Sequence, residues 1–191
     1  MIRANPITSW NDAESMATVA KTAYVDPAAT VIGDVRIGER VYIGPGASVR
    51  ADEATPIIIG DESNVQDGAV FHGLEGTSIK LGRRVSIAHG AVVHGPLVVG
   101  DGSFVGFNAV VHASTLGNKC FVGHLALVVG VTLPDGSFVP PGSVVDSQEK
   151  ADKLGPVPES LKGFNDEVVK VNTEFAEVYL LMDKGCKTPL I

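Results

Sequence analysis

The sequence predicts a mainly β protein, a left-handed parallel β-helix of triangular cross-section with an α-helix at its C-terminal end. Three observations predict this fold. An apolar residue recurs every six residues from Val25 to near Val139, and glycine or asparagine recurs between these hexads, where tight corners need unusual backbone angles. The hexads stop at Asp146, where the composition becomes that of amphipathic helices.

The first 145 residues are expected to form one β-helical domain with an N-terminal arm. Residues 1–21 contain Pro6 and the single Trp10 but little periodicity, so we expect an extended arm that covers the open edge of the first coil. The first residue of each hexad fills the interior, and the coils stack because one coil cannot bury its own apolar row. Around the centre, about four extra residues are looped out between Thr77 and Lys80. The inward hexad residues there are Phe71, Leu81, Ile87, Val93 and Val99.

Residues 146–191 are expected to form a helical segment that packs on the β-helix. A short helix is predicted from Ser147 to Leu154, and a second one, capped by Asn165, is predicted to end at Gly185. We expect an apolar stripe of the second helix to dock on a face of the prism, its own or a neighbour's. The stripe consists of Val168, Val171, Phe175, Val178 and Tyr179.

The composition limits the function classes. An apolar content of 45% with 19% charged residues indicates a globular chain, and a net charge of -7 argues against nucleic acid or an anionic membrane as partner. No apolar run approaches the roughly 20 residues of a membrane span, and MIRANPITSWN lacks a signal-peptide core, so we expect a cytoplasmic protein. Cys120 and Cys186 have neither zinc-site nor disulfide spacing and are interpreted as free thiols without a function.

Three of the five histidines fall in the central stretch and suggest a metal site. His72 and His94 occupy the same hexad slot one coil apart, a separation of about 4.8 Å, so two outward imidazoles can share an ion. His89 belongs to the preceding face, roughly 16 Å from His94 at 3.3 Å per residue, whereas a zinc–imidazole bond spans only about 2.1 Å. We therefore infer that His89 serves a site on a neighbouring copy, as a cyclic trimer would allow.

Further polar residues share these slots. Arg50, His72, His94 and His112 form one outward ladder, and Gln66 has the same slot on the face of His89. A trimer joining the two faces would surround three imidazoles with polar side chains, which is unlike the charge-depleted core of an ordinary interface. The side chains gathered there would be Arg50, Asp52, Glu53, Asn64, Gln66 and Asp67.

Several segments resemble the γ-class carbonic anhydrases, both the archaeal prototype and the N-terminal domain of carboxysomal CcmM. The core of the resemblance is IGPGASVRADEATPIIIGDESNVQDGAVFHGLEG followed by SIAHGAVVHGP, and IRANPITSWN, SQEKADKLG and KVNTEFAEVY extend it over nearly the whole chain. The resemblance implies a homotrimeric β-helix that hydrates carbon dioxide. It further implies zinc, with ferrous or cobaltous ion as alternatives, at each subunit interface on His72, His89 and His94.

The resemblance also implies roles for other residues. Glu53 and Gln66 match residues that bind the reacting water and the substrate, and Glu75 matches a proton shuttle. Arg50 matches a residue that pairs with carboxylates, here Asp52 or Asp67, and that anchors bicarbonate. Asn172 matches a residue beside the substrate pocket.

The chain departs from the archaeal prototype in two places, and two other functions are alternatives to carbon dioxide hydration. The segment between Glu75 and Leu81 is much shorter than in the prototype, and Lys170 replaces an aromatic side chain near the pocket. A hexapeptide-repeat acyltransferase would share the solenoid and use one interfacial histidine as base, but needs no histidine triplet. A catalytically silent assembly protein is the second rival. His112 and His124 are interpreted as ordinary surface or interface residues.

Overall fold

Three parallel β-sheets form the faces of a triangular prism in the computed structural model, which describes residues 1–185. We call the eight-stranded sheet the ladder sheet. Its strands are Ile2–Arg3, Thr30–Gly33, Ser48–Ala51, Val70–His72, Val92–His94, Val110–His112, Leu127–Val129 and Val144–Val145.

Each of the other two faces has seven strands. The second sheet comprises Thr18–Val19, Val35–Ile37, Ile57–Ile59, Ile79–Leu81, Leu97–Val99, Thr115–Leu116 and Thr132–Leu133. The third, which we call the helix-covered sheet, comprises Tyr24–Val25, Tyr42–Ile43, Asn64–Val65, Ser86–Ile87, Phe104–Val105, Phe121–Val122 and Phe138–Val139.

Successive coils stack in parallel register, so residues in the same hexad slot lie beside one another. Phe71 pairs with Val49 on one side and with Val93 on the other. The five inward residues predicted for the central hexads are all at most 1% exposed. Full burial of one such side chain stabilises the fold by about 1.5–3 kcal/mol. The predicted hexapeptide β-helix with three faces is therefore confirmed.

The corners of the coils use more residue types than the glycine and asparagine predicted. Asn108 does adopt a positive φ, of 52°, but Arg84 at 56°, Lys119 at 53° and Leu125 at 60° also adopt this conformation. Backbone hydrogen bonds to a neighbouring coil hold these corners, as between the Arg84 amide and the Asp61 carbonyl of the preceding coil. The stacking of coils therefore compensates for the backbone strain that these side chains bring.

The two ends of the prism are covered. The strand at Ile2–Arg3 pairs with Val31 and Ile32, so the predicted N-terminal arm does add a strand to the first coil. Asn5, only 2% exposed, ties this arm together by hydrogen bonds to Ala13 and Ser15. At the opposite end lies the short helix α1, Gln148–Ala151, which is capped by the Ser147 side chain and followed by a 3-10 turn at Glu159–Leu161.

The long helix α2, Phe164–Asp183, packs on the strands of the helix-covered sheet. The prediction that Asn165 caps it is wrong, because the helix starts earlier and the Asn165 amide donates to the carbonyls of Arg84 and Gly102. The predicted apolar stripe does contact the sheet, since the rings of Phe175 and Tyr179 lie 5.8 Å from Tyr42 and 4.9 Å from Tyr24, although Phe175 is 44% exposed. The most buried residues of α2 are Val169, Asn172, Thr173 and Ala176, of which none belongs to the predicted stripe.

Of the two cysteines, only Cys120 lies within the described residues. Cys120 is a buried free thiol, as predicted, and desolvation raises its pKa. Cys186 lies outside the described residues. Among residues 1–185, neither α1 nor α2 combines the length and apolar character that crossing a bilayer would require.

Candidate active site

The predicted ladder of polar residues is present on the ladder sheet. His72 pairs with Arg50 on one side and His94 on the other, and His94 pairs with His112. The ring centroids of His72 and His94 are 5.5 Å apart, and those of His94 and His112 are 5.0 Å apart, both in edge-to-face arrangements. Parallel register thus places three imidazoles in a row, with His94 in the middle.

His72 lies against two carboxylates. Its Nε2 is 3.3 Å from Oδ1 of Asp52 and 3.5 Å from Oε1 of Glu53, while the Arg50 guanidinium binds the other Asp52 oxygen at 2.8 and 2.9 Å. Nevertheless Nε2 of His72 and Oδ1 of Asp52 are buried without a hydrogen-bond partner among the described residues. A buried polar atom without a partner costs about 1–3 kcal/mol, so this pair is suited to a further ligand such as a metal ion.

The backbone of the next residue orients His94. Its Nδ1 lies 3.0 Å from the Gly95 carbonyl, so we assign the hydrogen to Nδ1, which leaves the lone pair on Nε2 free. Metal-binding histidines commonly have this second-shell hydrogen bond. Imidazole nitrogens suit zinc, ferrous and cobaltous ions, and the donor atoms of His72 and His94 therefore fit the predicted metal.

The third predicted ligand is on another face. His89 follows the strand Ser86–Ile87 of the helix-covered sheet, where it is exposed, lies 3.7 Å from Asp67 and packs its ring on Phe107 at 5.2 Å. Within residues 1–185 of one chain, no three His, Cys, Asp or Glu side chains are grouped closely enough to hold a metal. One chain therefore does not bring His89 together with the ladder.

A pocket of about 560 Å³ opens beside His89, between the helix-covered sheet and α2. Its polar lining includes Gln66, Asp67 and Asn172, and its apolar lining includes Phe107 and Val171. Three of the predicted site residues are thus gathered around His89. The Asn172 amide donates to the Val168 carbonyl at 2.8 Å, which fixes the side chain where α2 covers this pocket.

A buried chain of hydrogen bonds orients Gln66. Its amide nitrogen donates to Asn64 at 2.9 Å, and the Asn64 amide donates to the Ser86 hydroxyl at 2.8 Å. Asn64 and Ser86 are both fully buried, and Gln66 is 6% exposed. The sequence analysis missed Ser86, although it occupies the slot of Asn64 one coil later, as the strand register confirms.

Tyr42 belongs to the pocket, whereas Glu75 lies on the loop after the ladder strand Val70–His72. Tyr42 lines the pocket, and burial, together with the nearby Asp67 charge, raises its pKa to about 12. Glu75 is exposed on the loop after His72, where the hydroxyls of Thr55 and Thr77 bind the Leu74 carbonyl at 2.7 and 2.6 Å. In the described residues Glu75 forms no hydrogen bond or ion pair with the other candidate residues.

Comparison with known proteins agrees with the fold. A family model described as the hexapeptide repeat of succinyl-transferase matches residues 34–70 and 96–123. A solved hexapeptide transferase family protein from Anaplasma phagocytophilum superimposes with a TM-score of 0.74 at 22% identity, covering 86% of this chain and 93% of that one. At this identity the likeness shows the solenoid alone.

Sequence relatives are more informative. The chain is 39% identical over 98% of its length to the carboxysome assembly protein CcmM of Nostoc, of which it spans 36%. It is also 43% identical to the carbonic anhydrase of Methanosarcina thermophila over 93% of this chain and 81% of that protein. This identity extends over most of both chains, and the chain therefore belongs to the γ-class carbonic anhydrase family.

Proposed function

We propose that this chain catalyses the reversible hydration of carbon dioxide to bicarbonate and a proton, at sites formed between copies in a homotrimer. One observation carries the proposal. His72 and His94 stand side by side, the His72 Nε2 without a hydrogen bond and the His94 Nε2 with a free lone pair, whereas His89 follows a strand of a different sheet and lines the pocket. A neighbouring copy that presents its helix-covered sheet to the ladder sheet would complete the site. A cytoplasmic location remains part of this proposal.

His72 and His94 of one copy and His89 of the next would hold the metal, zinc or alternatively ferrous or cobaltous ion. When bound, such an ion makes water acidic enough to yield hydroxide near neutral pH. His94 is prepared for this role by its hydrogen bond to the Gly95 carbonyl. His72 is prepared by the proximity of Asp52, whose other oxygen is neutralised by Arg50.

Glu53 and Gln66 would then act on the reactants. Glu53 lies 3.5 Å from the His72 Nε2 and is about one-third exposed, so it can accept a hydrogen bond from the attacking water and orient it. Gln66, fixed by Asn64 and Ser86, would present its amide to an oxygen of carbon dioxide or bicarbonate from the pocket of the neighbouring copy. The apolar wall formed by Phe107 and Val171 suits an uncharged substrate.

The proton must leave for buffer after each turnover. Glu75 is the exposed carboxylate nearest in sequence to His72, and its short loop is anchored at Leu74. We assign it the transfer of the proton from the site to solvent. Arg50 is assigned the role of holding Asp52, and Asn172 the role of closing the pocket above Gln66.

The direct test combines anaerobic purification, metal analysis and a stopped-flow assay of carbon dioxide hydration. We expect one metal ion per chain and hydration that is lost on chelation and restored by zinc, ferrous or cobaltous ion. Metal-loaded trimers without hydration activity would contradict the enzymatic proposal and favour an assembly role, as in the relatives named as CcmM.

Mixed trimers test the intersubunit arrangement. His89→Ala and His94→Ala subunits should each be inactive alone, because each lacks one ligand at every site. Mixed together, some interfaces would pair an intact ladder with an intact His89 and regain metal and activity. Failure to regain either, although mixed trimers form, would contradict the shared site.

A further inference from the structure

His112 adjoins the proposed metal ligands but has no role in the function described so far. It pairs in register with His94 on the side opposite His72, and its ring centroid is 5.0 Å from that of His94. On the far side of His112 the register partner is Val129, an apolar residue. His112 is therefore the last polar residue of the ladder.

The two ring nitrogens of His112 differ in their surroundings. Its Nδ1 is buried without a hydrogen-bond partner among the described residues, whereas the His94 Nδ1 has the Gly95 carbonyl. A buried N–H without an acceptor is rarer and more costly than a buried acceptor without a donor, so the hydrogen of His112 is assigned to Nε2. His94 thus offers a lone pair at Nε2, and His112 offers an N–H.

The ladder is also electrostatically asymmetric. At the His72 end, Asp52 and Glu53 lie 3.3 and 3.5 Å from the ring, and an anion placed there would be repelled. No carboxylate lies within ion-pair distance of His112 among residues 1–185. An anion bound beside His94 is therefore directed towards His112.

We propose that His112 binds the bicarbonate anion, donating a hydrogen bond from Nε2–H to one of its oxygens. The inference rests on the proposed function and adds to it a residue that orients the anion on the side of His94 away from Glu53. Carboxylates at one end of the ladder would accept hydrogen bonds from the water, and the imidazole at the other end would donate one to the anion.

The test is a bicarbonate titration of the cobalt-loaded full-length protein, followed by its visible absorption spectrum. His112→Phe keeps an aromatic ring against His94 but removes the donor, and His112→Gln restores an N–H donor without the ring. We expect His112→Phe to bind bicarbonate about tenfold more weakly at unchanged cobalt content, as for the loss of one hydrogen bond to a charged group. His112→Gln should recover most of this loss.

Other results would overturn the inference. Equal affinity for bicarbonate in the wild type and His112→Phe would show that the donor is not used. Equal weakening in His112→Phe and His112→Gln would show that the imidazole matters for another reason, and absence of bicarbonate binding in the wild type would also contradict it. The outcomes separate the two proposals, because carbon dioxide hydration by the wild type is measured independently of the His112 variants.

Discussion

Asp52 joins Arg50 to His72. One carboxylate oxygen binds the Arg50 guanidinium at 2.8 and 2.9 Å, and the other lies 3.3 Å from Nε2 of His72 without a hydrogen bond of its own. The carboxylate is thus held in place by an arginine that is itself about half exposed. This relationship links the surface of the ladder sheet to the proposed metal ligand.

We expect Asp52→Asn to weaken metal binding by about tenfold, because the amide removes a negative charge 3.3 Å from the His72 Nε2 that would attract the cation. The measurement is competition with a chromophoric chelator. Asp34→Asn is a matched control, because Asp34 binds Arg36 with the same two-residue spacing at 2.9 Å on another sheet. Equal loss of metal affinity in both variants would contradict a specific role for Asp52.

Glu75→Ala should lower kcat in dilute buffer while leaving kcat/KM nearly unchanged, because hydration itself does not use this residue. Small imidazole buffers should restore kcat. Glu53→Ala should instead lower kcat/KM, since Glu53 lies beside the His72 Nε2. Stopped-flow assays at several buffer concentrations distinguish the two. Wild-type behaviour of Glu75→Ala in weak buffer would exclude this residue from the proton path.

Asn64→Ala should lower kcat/KM about tenfold by releasing the Gln66 amide, and should cost about 1–3 kcal/mol of stability through the unpartnered Ser86 hydroxyl and Gln66 amide. Gln66→Ala should give a similar kinetic loss. The double variant should be little worse than either, because coupled residues are not additive. Additive kinetic losses would show that Asn64 does not act through Gln66.

The free energy of unfolding should fall as the pH rises from about 10 to about 12. The pKa values of Tyr24 and Tyr42 are raised from 10.0 to about 12, mainly by burial, so the folded chain retains protons that the unfolded chain loses. Their contribution is present below pH 10.0 and is lost through the folded pKa of about 12. Denaturant unfolding at a series of pH values measures it.

The double variant Tyr24→Phe/Tyr42→Phe is the control for this pH dependence, which it should largely remove. Tyrosinate absorbance should correspondingly lose two groups that ionise near pH 12. Ionisation of both tyrosines near pH 10 in the folded wild type would contradict the prediction.

The repeat was predictable because a six-residue period assigns every residue to a face. The pairing of His72 with His94 and the placement of His89 on another sheet follow from that period alone. The apolar pattern of α2 predicted only part of its docking, because Phe175 and Tyr179 do contact Tyr42 and Tyr24 but are not the most buried residues. Ala176 and Thr173 allow close approach to the sheet, while the larger Phe175 remains partly exposed.

Asn165 and Ser86 show a different limit of sequence interpretation. Asparagine is a residue type that commonly caps helices, but the Asn165 amide donates to two carbonyls on distant coils. Ser86 is an unremarkable strand residue until its neighbour across the register, Asn64, is known to hold Gln66. Such roles depend on tertiary neighbours. Periodicity predicts which backbone positions are neighbours, but it does not predict which side chains form hydrogen bonds.

The loop that carries Glu75 lies at the corner between the strands Val70–His72 and Ile79–Leu81, and it does not disturb the strand register on either side. His72 still pairs with His94, and Ile79 still pairs with Leu97, although this coil is longer than the one between His94 and His112. The extra residues at this corner therefore leave the register of the histidine strands unchanged. The proposed route to bulk buffer can therefore be rebuilt at this corner as a separate module, while the register of the histidine strands stays the same.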